Sequence, residues 1–208
     1  MKNILIHGLG QNNRDWDTIK TVLEARGISS IAPDLFDLAR GRKLDYPTVY
    51  QAFSELCESY QDKLNLCGLS LGGLLALNYA IQYPKKINSL VLIGTPFEIP
   101  KGLLKFQNFV FKLIPKSAFQ SMGVSKKDFI RLSKSMVDLN FMDSATALDC
   151  PALILCGAKD KTNMESAKRF HEAMKNSKLV IVEASGHEVN KDNPNELVRV
   201  LQDFWADR

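Results

Sequence analysis

The sequence has little of what would make it a cross-linked scaffold, a membrane span or a nucleic-acid binder. Only four cysteines, Cys57, Cys67, Cys150 and Cys156, stand among 208 residues, and no two form a C-x-x-C pair. A disulfide framework is excluded, and the apolar runs around Cys67 and Cys156 identify these thiols as small hydrophobes. No stretch approaches the roughly 20 apolar residues that a membrane helix requires. The opening run Met1 to Ile6 meets His7 and Gly8 before a signal-peptide core develops, so a cytoplasmic protein with no integral membrane segment is expected. Charge of one sign is also scarce. The 27 Lys+Arg against 23 Asp+Glu leave +4, too weak a field to imply nucleic acid as a partner.

What is present describes a globular chain. Hydrophobic residues make up 45% and charged residues 24%, with a mean hydropathy of −0.12, enough to bury one core. Short apolar runs recur at Ile4 to Ile6, Ser29 to Ala32, Leu64 to Cys67, Ser89 to Ile93, Ala152 to Cys156 and Leu179 to Val182. Near-continuous apolar runs of strand length suit a parallel sheet covered on both faces. Between them lie segments of helical period, Trp16 to Ala25, Thr48 to Tyr60, Leu71 to Gln82, Ser166 to Lys175 and Asn195 to Trp205. Strand and helix alternate, so the fold class is α/β.

One interval interrupts the alternation. Residues 97–149 show helical periodicity and no strand, and they hold seven of the eleven phenylalanines. A structureless loop of that length is improbable, so this is read as a helical insertion between two parts of a core, 1–96 and 150–208. It carries eight basic side chains against five acidic ones, and so +3 of the net +4.

The chemistry-bearing residues follow strand ends. Gly68-Leu69-Ser70-Leu71-Gly72 fits G-x-S-x-G, directly after one apolar run and directly before a helical one. That is the strand-turn-helix setting of a nucleophile elbow, with Ser70 raised above the sheet at a helix N-terminus. A serine hydroxyl needs a base. Of the three histidines, His171 lies within a helical run, His7 ends the first strand and His187 follows the last, so His187 is the candidate base. Asp160, just past the fifth strand, is the candidate acid that orients His187; Glu98, also after a strand end, is the alternative, and Asp138 and Asp143 are read as surface charge. The amides of Leu9, in His7-Gly8-Leu9-Gly10, and of Leu71 are candidate oxyanion donors. His7 itself is read as a brace for its loop.

Together these motifs resemble the α/β-hydrolase superfamily over essentially the whole chain: His7-Gly8-Leu9-Gly10, the elbow at Ser70, Asp160, and Gly186-His187 followed by Asp192-Asn193-Pro194. The opening His-Gly-Leu-Gly-Gln-Asn resembles that of carboxylesterases that cleave pimeloyl-carrier-protein methyl ester. The resemblance implies a mostly parallel sheet of about six strands, starting at the equivalent of the family's third, with 97–149 as a helical cap. After Pro33-Asp34 the sequence departs from the family, replacing a glycine-rich turn with Leu35-Phe36-Asp37-Leu38-Ala39-Arg40. The expected activity is hydrolysis of small carboxylic esters with a short to medium apolar acyl group, through an acyl-enzyme that needs neither metal nor organic cofactor. Phe106, Phe109 and Leu113 would line the acyl pocket. Thioesters, carrier-bound esters, other chemistry on the same residues and a non-hydrolytic ligand-binding role are the alternatives. The basic excess of the cap suggests docking to an acidic acyl carrier protein or an anionic lipid surface.

Overall fold

A computed structural model describes residues 1–96, 119 and 124–206. Six parallel strands form one sheet: β1 (Lys2–Ile6), β2 (Ser30–Ile31), β3 (Leu64–Leu69), β4 (Ile87–Ile93), β5 (Ala152–Gly157) and β6 (Ser177–Val182), in the order β2-β1-β3-β4-β5-β6. The inner runs are apolar throughout because successive residues feed two cores. Ile4, Ile6, Leu64, Leu66, Leu90, Leu92 and Ile154 face one core, whereas Leu5, Cys67, Leu69, Val91, Ile93, Leu153 and Leu155 face the other. The outer strands β2 and β6 are mostly half-buried, as sheet edges are.

Within the described residues the α-helices with assigned bounds are α1 (Asp17–Ala25), α2 (Leu35–Leu38), α3 (Tyr46–Glu58), α4 (Leu71–Gln82), α5 (Lys126–Ser135), α6 (Met142–Ala145), α7 (Lys161–Ala173), α8 (Val189–Asp192) and α9 (Pro194–Ala206). Helices α3, α4 and α7 pack their apolar residues on the first core, α1 and α9 on the second. Two helices begin earlier than periodicity alone indicates. Asp45 caps α3 through the Thr48 amide, and Asp160 caps α7 through the Asn163 amide, extending each into a first turn without apolar rhythm. From the cysteine-poor sequence, all four thiols emerge free.

The described part of the interval 97–149 is helical and shares the core of the sheet. Phe119 meets Phe129 edge-on at 5.0 Å, and Phe129 and Leu132 of α5 join the apolar cluster of α3 and α4. Ser135 accepts a hydrogen bond from the Tyr46 amide at 2.7 Å, fixing the end of α5 to the start of α3. Phe106, Phe109, Leu113 and Glu98 lie outside the described residues. Among those described, no helix is long and apolar enough to cross a membrane.

At the N-terminal half of the sheet a polar ladder crosses three strands in register. Asn65 donates to Asn3 Oδ1 at 2.7 Å and accepts from Asn88 at 2.8 Å and from Ser89 Oγ at 2.6 Å, while Trp205 donates to Ser89 at 3.2 Å. Replacing Asn65 by Leu removes the bonds to buried Ser89 and to half-buried Asn3 and Asn88. Asn65→Leu is expected to lower stability by about 1–3 kcal/mol, read as a lower urea midpoint with an unchanged m-value.

Candidate active site

Five strand ends converge at the C-terminal edge of the sheet, where open α/β folds carry their sites. Ser70 is the only residue between β3 and α4, and it holds φ 53° and ψ −110°, a conformation that non-glycine residues adopt under strain. Its amide donates to the Ile93 carbonyl at 2.9 Å and its carbonyl accepts from Leu74 at 3.0 Å, so both backbone groups are satisfied despite the sharp turn. Only glycine permits so close an approach of helix to strand. A Cβ at residue 72 would lie 2.2 Å from the Ile6 carbonyl oxygen, and one at residue 68 would lie 2.2 Å from the Gly72 carbonyl oxygen. Ser70 immediately precedes the first turn of α4, whose unpaired amides carry positive dipole.

Asp160 and His187 meet above β5 and β6. His187 Nδ1 lies 2.7 Å from Asp160 Oδ2, and the Asp160 side chain is 5% exposed. Asn163 Nδ2 donates to Asp160 Oδ1 and Oδ2 at 3.0 and 2.8 Å and stands 3.2 Å from His187 Nδ1. Because the amide hydrogens serve the carboxylate, the Nδ1 proton of His187 is directed to Asp160 and the Nε2 lone pair is left free as an acceptor. Burial alone would raise the pKa of Asp160. The hydrogen bonds from His187 and Asn163 outweigh it and hold the carboxyl below its usual range.

Gly94 joins this pair to the serine. Its φ of 50° lets the chain turn beneath the imidazole, and a Cβ there would lie 3.0 Å from His187 Nδ1 and 3.2 Å from Asp160 Oδ2. The preceding residue, Ile93, is the one whose carbonyl holds the Ser70 amide. Ser70 and the Asp160–His187 pair therefore flank the same two residues at the end of β4.

The loop after β1 closes the other side. A Cβ on Gly8 would stand 3.5 Å from Ser70 Cβ. His7 is fully buried; its Nε2 accepts from the Leu35 amide at 3.0 Å, so Nδ1 bears the hydrogen and donates to the Gly8 carbonyl, also at 3.0 Å. Burial holds the His7 pKa below the usual imidazole range and the ring stays neutral. It is a brace, as the sequence suggests. The Leu35 to Arg40 segment, whose helix α2 is capped by Asp34, supplies its partners: Leu35 offers its amide, and Phe36 meets the ring edge at 5.3 Å. The Gly8 carbonyl also accepts from Gln11 N at 3.2 Å, and since a trans peptide sets N–H opposite C=O, the Leu9 amide faces away from that anchor. Neither the Leu9 nor the Leu71 amide has an acceptor among the described residues.

Sequence reasoning missed Asn163, Gln11 and Asn190, all buried and polar. Asn163 was legible as the third residue of a helix capped by Asp160. Gln11 and Asn190 meet across 179 positions, which no local pattern reveals. His171 is exposed on α7 and bonds Ser177 at 2.9 Å, apart from the site.

The model of the alpha/beta hydrolase family matches residues 4–200. This chain belongs to that family. Among alpha/beta hydrolase relatives, Lipase 3 of Moraxella sp. is 27% identical, the match covering 93% of this chain and 75% of the lipase. A pimeloyl-[acyl-carrier protein] methyl ester esterase of Aeromonas hydrophila is 23% identical over 97% of this chain and 94% of its own. Of solved structures, a thermophilic esterase from Thermogutta terrifontis superposes with a TM-score of 0.83 at 18% identity, covering all (100%) of this chain and 90% of the esterase.

The depressed Asp160 pKa has a definite sign in stability. A carboxyl held below its unfolded value stabilises the fold above the usual carboxylate range, and that contribution is lost as pH falls through the folded pKa. Asp160→Asn is expected to lower Tm at pH 7, and the gap to wild type should close on acidification below the carboxylate range. A gap independent of pH would refute the assignment.

Proposed function

We propose that the protein is a serine hydrolase of carboxylic esters with a short to medium apolar acyl group. The observation that carries this reading is the strained elbow at Ser70 set across Gly94 from His187, which is hydrogen-bonded to the buried Asp160. Ser70 Oγ attacks the ester carbonyl carbon and its proton passes to His187 Nε2. Asp160 holds the tautomer and stabilises the imidazolium. The carbonyl oxygen becomes an anion received by the amides of Leu9 and Leu71. Collapse of the tetrahedral intermediate breaks the ester bond, and His187 returns the proton to the departing alcohol. Water then attacks the acyl-serine by the same route, releasing the acid and restoring Ser70.

Residues 97–149 serve as the cap in this reading, with Phe106, Phe109 and Leu113 lining the acyl pocket, an assignment that rests on their helical spacing alone. The excess of three positive charges in that interval favours a carrier-bound substrate as the natural one. The Aeromonas relative, named for such a substrate, supports this second reading.

Two measurements test these assignments. A p-nitrophenyl ester series from acetate to decanoate should show a rate maximum at one chain length, and Ser70→Ala should reduce kcat by about 10⁴-fold or more. Full activity in that variant would remove Ser70 from the mechanism. For the carrier, kcat/KM on an acyl-carrier-protein ester should fall steeply between 50 and 500 mM NaCl while that on a neutral ester stays flat; equal salt profiles would eliminate the docking role.

A further inference from the structure

The loop that presents the Leu9 amide and the segment that carries His187 belong to β1 and β6, which lie four positions apart in the sheet. At about 4.8 Å per strand that separation is about 19 Å, too far for the sheet alone to set their relation. The segments that follow these two strands come together above the sheet and meet through two buried side-chain amides. Gln11 is 1% exposed and Asn190 2%. Gln11 Oε1 accepts from the Gly8 amide and from Asn190 Nδ2, each at 3.4 Å, and Gln11 Nε2 donates to Asn190 Oδ1 at 3.2 Å and to Glu188 Oε1 at 3.1 Å. Asn190 Nδ2 also donates to the Asp15 carbonyl at 3.0 Å. Outside this pair Lys191 bridges Asp15 at 2.9 Å and Glu188 at 3.4 Å.

The consequence lies in what each bond fixes. Gln11 holds both peptide groups that flank the Gly8 Cα, the first by its side chain on the Gly8 amide and the second by its own N–H on the Gly8 carbonyl. The same amide group grips Glu188, the neighbour of His187, while Asp192 Oδ2 accepts from Gly186 N at 2.7 Å on the other side. His187 is thus pinned through both adjacent residues, and one of the two pins is the side chain that orients the Leu9 loop.

We infer that the Gln11–Asn190 pair is a positioning element that fixes the distance between the base and the oxyanion donors, so that proton transfer and charge stabilisation occur on one substrate carbonyl. The inference rests on the serine hydrolase reading above. Its effect belongs in the transition state, because the Leu9 amide meets the oxygen fully only when that oxygen is an anion. Loss of the pair should lower kcat with little change in KM.

The test uses the full chain and a fluorophosphonate to count competent Ser70 sites, so that kcat on p-nitrophenyl butyrate is expressed per labelled site. Gln11→Leu and Asn190→Leu should each lower kcat about 10- to 100-fold with KM within about twofold. The double variant should lose little more than the worse single one, as members of one unit do. Should the leucine variants fail to fold, Asn190→Asp and Gln11→Glu keep the size and remove donors, and Glu188→Gln added to Gln11→Glu should restore part of kcat by reversing one hydrogen bond. Unchanged kcat per labelled site, or losses confined to KM, would overturn the inference and leave the serine hydrolase reading intact. Failure of the wild-type chain to label at Ser70 would overturn both.

Discussion

The near-contact between the start of α4 and the ends of β1 and β3 is the constraint on which the site depends. Ser70 leaves β3 and enters α4 without an intervening residue, and its left-handed backbone costs about 1–3 kcal/mol. That cost is offset by the elements it joins. Leu64, Leu66, Leu71, Leu75 and Leu77 are fully buried, and each is worth about 1.5–3 kcal/mol relative to exposure. The glycines at 68 and 72 allow the approach, and the cores on both faces of the sheet hold it.

Around that point the buried polar groups are paired in chains. His7 links Leu35 to Gly8, Asp160 links His187 to Asn163, and Gln11 links Gly8 to Asn190 and Glu188. In a low-dielectric interior an orphaned member of such a chain costs more than a hydrogen bond gains, so each link specifies geometry more strongly than it adds stability. Asp160 is held ionised by its partners, while His7 is kept neutral by burial. A neutral brace and an ionised acid thus stand on opposite sides of Ser70.

Most of the sheet, and the strand-end positions of Ser70, Asp160 and His187, were legible because they are written locally. Continuous apolar runs identify inner strands, and α4 matches its expected Leu71 to Gln82 bounds because no polar first turn obscures it. Helix α7 was truncated in the sequence reading because Lys161 to Glu165 carry no helical rhythm; the cap that starts it is Asp160 itself. The one-turn helices α2 and α8 left no periodic signal. Long-range side-chain pairs such as Gln11 with Asn190, or Asn3 with Asn65, depend on which strands lie together, and that is set only once the sheet forms.

The two ends of the sheet use polar side chains differently. At the N-terminal half, Asn3, Asn65 and Ser89 face one another in strand register, so their bonds run along the sheet and reinforce an order that the backbone ladder already fixes. At the C-terminal edge backbone bonds still tie neighbouring loops, Lys159 N donating to the Ser185 carbonyl at 2.9 Å, but among the described residues none joins the loop after β1 to the segment after β6. There the side-chain bonds replace the missing backbone pairing, joining segments that the sheet keeps apart. Where a fold varies its loops, buried polar pairs of this kind hold the segments around Ser70 and His187 in one arrangement.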